Sequence, residues 1–163
     1  INTNASFNVF GDLEQNVTSW RGVRMWESAF PDFEVFTLNQ NYRNTNQIVD
    51  FVASALKVDM QSIGFDGPEV RHIPARGVSA FFRDKKGLKA VICAESEKEK
   101  YARKAYSIVS EKGRISRTKI SLMTVYESKG LEFTSVVVIP ENMSPNEKYI
   151  AYTRALKELA VVE

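Results

Sequence analysis

The 163-residue chain has one cysteine and one histidine, which leaves little room for a redox or metal centre. Cys93 has no second cysteine to pair with, and its apolar run (Ala90-Val91-Ile92-Cys93-Ala94) marks it as a small buried hydrophobe. His72 is accompanied by no acid or thiol pattern, so ordinary hydrogen bonding is expected of it and no metal site. No apolar stretch approaches the roughly 20 residues of a membrane span, and no signal-peptide pattern opens the chain. The first residue is Ile1 rather than Met, and the opening residues read as a piece of something longer. A cytoplasmic protein present only in part is the expectation. Formal net charge is only +2, so nucleic-acid binding would need a local patch or groove rather than a global field. There is no Gly-x-x-x-x-Gly-Lys-[Ser/Thr] loop to cradle phosphates, no acidic pair before Phe7, no internal repeat and no low-complexity tract.

What is present describes a globular domain with a real core, 44% hydrophobic and 26% charged. Short apolar runs recur at Phe7–Phe10, Val35–Leu38, Ala90–Ala94, Ile120–Val125, Ser135–Ile139 and Leu159–Val162. Most lack alternation and read as strands buried on both faces of a parallel sheet. Ile48, Phe51, Val52, Ala55 and Leu56 mark a helix that Asn44 or Thr45 would cap, with Gln47 placed to answer Asn44. Tyr101, Ala105, Ile108 and Val109 predict a second helix that stops at Gly113, with Lys98, Lys100, Arg103 and Lys104 on an exposed face. A third is expected from Asn146 to about Lys157. Glycine and proline between residues 57 and 89 predict loops with irregular strands at Val70–Ile73 and Val78–Arg83. Arg83-Asp84-Lys85-Lys86 reads as a solvated turn. The class is α/β with a mostly parallel sheet flanked by helices.

Four segments carry chemistry. Gly11-Asp12 ends an apolar run, and Gln15 nearby brings an amide that both donates and accepts hydrogen bonds; Trp20-Arg21-Gly22 follows. Asn41-Tyr42-Arg43 joins a flat aromatic face to a fork-shaped cation that matches phosphate oxygens. Thr124-Val125-Tyr126-Glu127-Ser128-Lys129-Gly130-Leu131-Glu132 opens from the end of an apolar run, expected to be a strand's C-terminal end, where open α/β sheets bind ligands. Tyr152-Thr153-Arg154-Ala155 supplies a second arginine, expected on the third helix. Two such arginines without a phosphate-cradling loop suggest half of a nucleotide site. Each segment alone is equally compatible with a turn or helix entry that merely exposes polar groups.

Together, in this order, the segments resemble motifs III (Gly11 to Gly22), IV (Asn41 to Thr45), V (Leu122 to Phe133) and VI (Tyr149 to Ala155) of the superfamily I DNA helicases of the UvrD/Rep/PcrA type. The resemblance implies a RecA-like C-terminal domain over residues 31–163, without its own P-loop. Residues 1–30 would be the tail of a preceding ATPase domain or a connecting segment. It implies ATP and Mg2+ as ligands, the magnesium ligands lying on a separate N-terminal RecA-like domain. By similarity Gln15 senses the γ-phosphate, Arg43 and Arg154 contact it, Tyr42 stacks on adenine, and Glu132 reaches the ribose in a loop shaped by Gly130. Trp20 stacks on a DNA base, Thr124 and Tyr126 face the DNA, and Arg21 pairs with an acid of the other domain. Single-stranded or partly duplex DNA is the implied partner, and no membrane is. Alone, the chain is expected not to hydrolyse ATP.

Three departures qualify the match. Thr18 stands where the family commonly has an aromatic, and Tyr126 where it usually has a histidine. About 80 residues separate Arg43 from Thr124, an interval that holds a whole inserted domain in larger members. That compactness resembles the helicase IV/HelD branch, some members of which act on RNA polymerase, so an ATP-driven polymerase-remodelling factor is the alternative. A non-catalytic docking module of the same fold is the third reading.

Overall fold

A computed structural model describes residues 6–16, 22–102, 106–108 and 115–163. Six parallel strands form the main sheet: β3 (Arg71–Ile73), β4 (Lys89–Cys93), β5 (Tyr106–Ile108), β6 (Ile120–Thr124), β7 (Phe133–Ile139) and β8 (Ala155–Val162), in the spatial order β3-β8-β7-β4-β6-β5. Two short strands, β1 (Gln40–Asn41) and β2 (Gln61–Ser62), pair separately. Helices are α1 (Trp26–Ala29), α2 (Asn46–Leu56), α3 (Val78–Phe81), α4 (Lys98–Tyr101), α5 (Val125–Ser128) and α6 (Pro145–Tyr152). The structure is therefore α/β with a parallel sheet flanked by helices.

The strands alternate between two cores. Ala90, Ile92, Met123, Val136, Val138, Leu159 and Val161 join Ile48 and Val52 of α2 and Ile150 and Ala151 of α6. Val91, Cys93, Leu122, Val137, Ile139, Ala160 and Val162 join Val78 and Phe81 of α3 and Tyr101 of α4. Successive side chains point to opposite faces, so uninterrupted apolar runs are what a sheet covered on both sides requires. Each fully buried Val, Leu or Ile contributes about 1.5–3 kcal/mol, which makes the β4–β7–β8 centre the most stable part. Helix α6 starts with a capping box: the Glu147 amide donates to Ser144 Oγ, the Ser144 amide donates to Glu147 Oε2, and Pro145 follows the cap.

Five of the expected strands form, at β3, β4, β6, β7 and β8; Phe7–Phe10 and Val35–Leu38 do not. Neither run pairs with the sheet, and Phe10 and Leu38 are 87% and 91% exposed. Val78–Arg83 gives α3 instead of a strand, because Val78, Phe81 and Phe82 recur at helical spacing and bury together. The helix expected through Val109 ends as α4 at Tyr101, and Tyr106–Ile108 pairs with β6 as β5. Arg103, Lys104, Ala105, Val109 and Gly113 lie outside the described residues. Helix α6 stops at Tyr152, since β8 begins at Ala155 and continues the ladder with β7. Thr45 is the N-cap of α2 without a side-chain cap bond, and Gln47 Oε1 accepts from the Gly67 amide rather than answering Asn44.

Candidate functional site

Glu132 immediately precedes β7 and Arg154 immediately precedes β8, so the parallel sheet brings them to the same, N-terminal, end. The entry to α2 adds Arg43. Its Nη1 lies 3.3 Å from Glu132 Oε1, and its Nη2 donates to the Thr153 carbonyl at 3.4 Å. Both side chains of this ion pair are well exposed (39% and 45%), so it contributes little to stability and is readily exchanged for another anion.

Arg154 differs. It lies in the turn between α6 and β8 rather than on a helix, and only 3% of it is exposed. Its Nε donates to the Ile150 carbonyl at 3.1 Å and its Nη1 to the Leu131 carbonyl at 3.3 Å. Burial, with a further contribution from the Arg43 charge, pulls its pKa below the usual arginine value, while Glu132 opposes that shift. The Arg43 charge is therefore felt at Arg154, and a nearby anion would offset it.

The segment Asp12–Asn16 packs against this end. Gln15 Nε2 donates to Asp12 Oδ2 at 2.7 Å, and the Tyr149 hydroxyl reaches the same oxygen at 3.4 Å. Lys129 Nζ donates to the Gln15 carbonyl at 3.1 Å, and Asn146 Nδ2 donates to the carbonyls of Leu13 and Asn16. Burial and the Asp12 charge push the Tyr149 hydroxyl up to about 12, so it remains a donor at neutral pH. Gly130 adopts φ +77°, and a Cβ there would meet no heavy atom within 4 Å.

The third chemical segment is split by the fold. Thr124 and Tyr126 sit at the C-terminal end of β6, whereas Gly130 and Glu132 sit at the opposite end of the sheet, beside the start of β7. Seven residues of β7 separate the two ends by roughly 20 Å. The carboxylate of this segment thus meets the arginines away from the strands' C-terminal ends, because the short α5 lets the chain return quickly. Thr124 is buried and its Oγ1 accepts from the Glu127 amide at 3.3 Å, while Tyr126 is 53% exposed. Tyr42 is 69% exposed, and its hydroxyl donates to Gln40. Trp20 and Arg21, with Thr18, lie outside the described residues.

Several residues make contacts that the sequence did not mark. Glu127 takes Lys98 Nζ at 2.6 Å on one oxygen and 2.7 Å on the other, and both side chains are largely buried. Lys98 therefore belongs to an ion pair rather than to the exposed face expected of it. Asp12 gathers Gln15 and Tyr149, and Asn44 is wholly enclosed. The sequence offered Asn44 only as a helix cap inside the second chemical segment, and nothing in it marks the Lys98–Glu127 pair. His72 Nδ1 lies 2.9 Å from Glu163 Oε1, and Lys85 pairs with Glu158. Among the described residues no group of three His, Cys, Asp or Glu is arranged to hold a metal, and no helix is long and apolar enough to cross a membrane.

Helicases are what the chain is similar to. It is 39% identical over 62 residues to a probable DNA helicase II homolog of Mycoplasma capricolum subsp. capricolum. That match takes in 35% of this chain and 8% of the relative, so most of the relative's length has no counterpart here. The C-terminal domain of a possible DNA helicase from Lactobacillus plantarum WCFS1 superposes with a TM-score of 0.55 at 25% identity, over 74% of this chain and 86% of that domain. An arterivirus nonstructural protein 10 helicase solved with DNA aligns over 77% of this chain and 25% of its own, at 18% identity and a TM-score of 0.46, too slight a likeness to bear on the site. No family model matches.

Proposed function

We propose that this chain is the C-terminal part of an ATP-dependent DNA helicase or translocase, and that it supplies the arginine side of the ATP cleft. The observation that carries this reading is the meeting of Arg43, Arg154 and Glu132 at one end of the sheet from three separate motifs. The donor set suits a nucleoside triphosphate. Arg43 is accessible and held by an exchangeable carboxylate and one long hydrogen bond, and Arg154 contributes fixed positive charge behind it. Both serve the γ-phosphate, with Gln15 beside them, Tyr42 on the adenine, and Glu132, shaped by Gly130, on the ribose. Fixed cationic donors at developing phosphate charge stabilise the transition state, an effect of several orders of magnitude in comparable enzymes. Magnesium and the remaining phosphate contacts belong to a P-loop-bearing N-terminal RecA-like domain, since the sequence here has no such loop. Residues 1–30 are assigned to the tail of that domain or to the segment that connects to it. The opposite end of the sheet, where Tyr126 is exposed beside the buried Thr124, is assigned to part of a single-stranded DNA track, and base stacking is assigned to Trp20.

In the full-length protein, Arg43→Ala and Arg154→Ala should each cut ATP turnover at least 100-fold while DNA binding stays within about threefold. Turnover near wild type in both variants would falsify the assignment.

A further inference from the structure

Asn44 is fully buried between the two arginine-bearing segments. Its Nδ2 donates to the carbonyl of Thr153 at 3.0 Å and to that of Ala155 at 2.6 Å, the residues on either side of Arg154. Its Oδ1 accepts from Asn41 Nδ2 at 2.9 Å. Asn41 Oδ1 in turn takes the backbone amides of Arg43 at 2.9 Å and Asn44 at 3.0 Å. One side-chain amide is thus the joint between the turn that carries Arg43 and the turn that carries Arg154.

The chemistry of that joint is restrictive. Two backbone carbonyls converge on a single nitrogen, so the side chain must offer two donors at one atom while its other terminal atom accepts. A serine supplies one donor, and a carboxylate would set negative oxygen against carbonyl oxygen. Arg43 needs such a brace because its own side-chain contacts are an exposed ion pair and one long hydrogen bond.

We propose that Asn44 is a positioning residue that fixes the spacing of Arg43 and Arg154 for their shared work on the triphosphate. This rests on the reading of both arginines as phosphate ligands given above. Preorganised charge stabilisation depends on placement, and an error near 1 Å can cost about 100-fold in rate.

The test is steady-state ATP turnover of the full-length protein carrying Asn44→Ser or Asn44→Asp, each also combined with Arg154→Ala. Asn44→Ser should lower kcat about 10- to 100-fold with KM for ATP within about threefold of wild type. Combined with Arg154→Ala it should cost less than about twofold more, because only one arginine is left to align. Asn44→Asp should be at least as impaired; if it does not fold, Asn44→Ser alone decides. A lower melting temperature with unchanged kcat, or losses that multiply in the double variant, would show a purely structural brace and overturn the proposal. Should Arg43→Ala and Arg154→Ala themselves retain wild-type turnover, the reading of the site falls and this inference with it. If those two lose turnover and Asn44→Ser does not, only the inference falls.

Discussion

Truncating the two arginines should have unequal effects on folding even where the effects on turnover are alike. Arg154→Ala removes a guanidinium that is 3% exposed and donates to two backbone carbonyls. The Ile150 carbonyl retains the Thr153 hydroxyl at 3.1 Å, so the bond to the Leu131 carbonyl is the principal loss. Losing a partner for a buried polar group costs about 1–3 kcal/mol, and the vanished aliphatic stem adds about 1 kcal/mol of lost packing. Relief from the Arg43 charge returns a fraction of this. A net destabilisation of about 2–3 kcal/mol lowers the melting temperature of a domain this size by roughly 5–10 °C. Arg43→Ala breaks only an exposed ion pair and a 3.4 Å hydrogen bond, at a cost of about 1 kcal/mol or less and a shift below about 4 °C. Thermal unfolding followed by circular dichroism, with wild type and both variants in one buffer, measures the difference. A shift for Arg154→Ala no larger than that for Arg43→Ala would refute the inward orientation of Arg154. Turnover of the two variants should accordingly be compared well below both melting temperatures.

Burial holds the Cys93 thiol near a pKa of about 12 instead of 9.0. At pH 8 its thiolate population is about 1,000-fold below that of the unfolded chain, and alkylation should be slower by at least that factor. Labelling within tenfold of the rate in denaturant would contradict this. The native thiol stays protonated where the unfolded one ionises, so its contribution to stability is complete below pH 9 and is lost as pH rises towards 12. Gly87 and Gly130 both have positive φ, but a Cβ at Gly87 would run into the Thr134 side chain while one at Gly130 meets nothing. Gly130→Ala should therefore cost about 1–2 kcal/mol, from backbone strain alone. Gly87→Ala should cost more, and equal denaturant midpoints for the two variants would count against the packing described.

The centre of the sheet was legible because β4, β6, β7 and the end of β8 are contiguous apolar runs, the pattern of strands covered on both faces. The same pattern misled at Phe7–Phe10 and Val35–Leu38, since apolar content specifies burial only where a neighbouring strand offers a ladder. Near Val78 and Tyr106 the helix and strand periods are hard to tell apart over three or four residues, and tertiary pairing decided between them. The resemblance to helicase motifs named Arg43, Glu132 and Arg154, but their convergence depends on strand order, which no local pattern encodes. The brace at Asn44 was hidden for the same reason: its partners are the carbonyls of Thr153 and Ala155, about 110 positions away.

ATP turnover by the full-length protein, with and without single-stranded DNA, tests the central claim most directly. Strong stimulation by DNA, abolished by Arg43→Ala, is the predicted result. Turnover indifferent to DNA would contradict the translocase reading in favour of an ATP-driven remodeller of RNA polymerase, and no turnover under either condition would contradict a nucleotide cleft altogether.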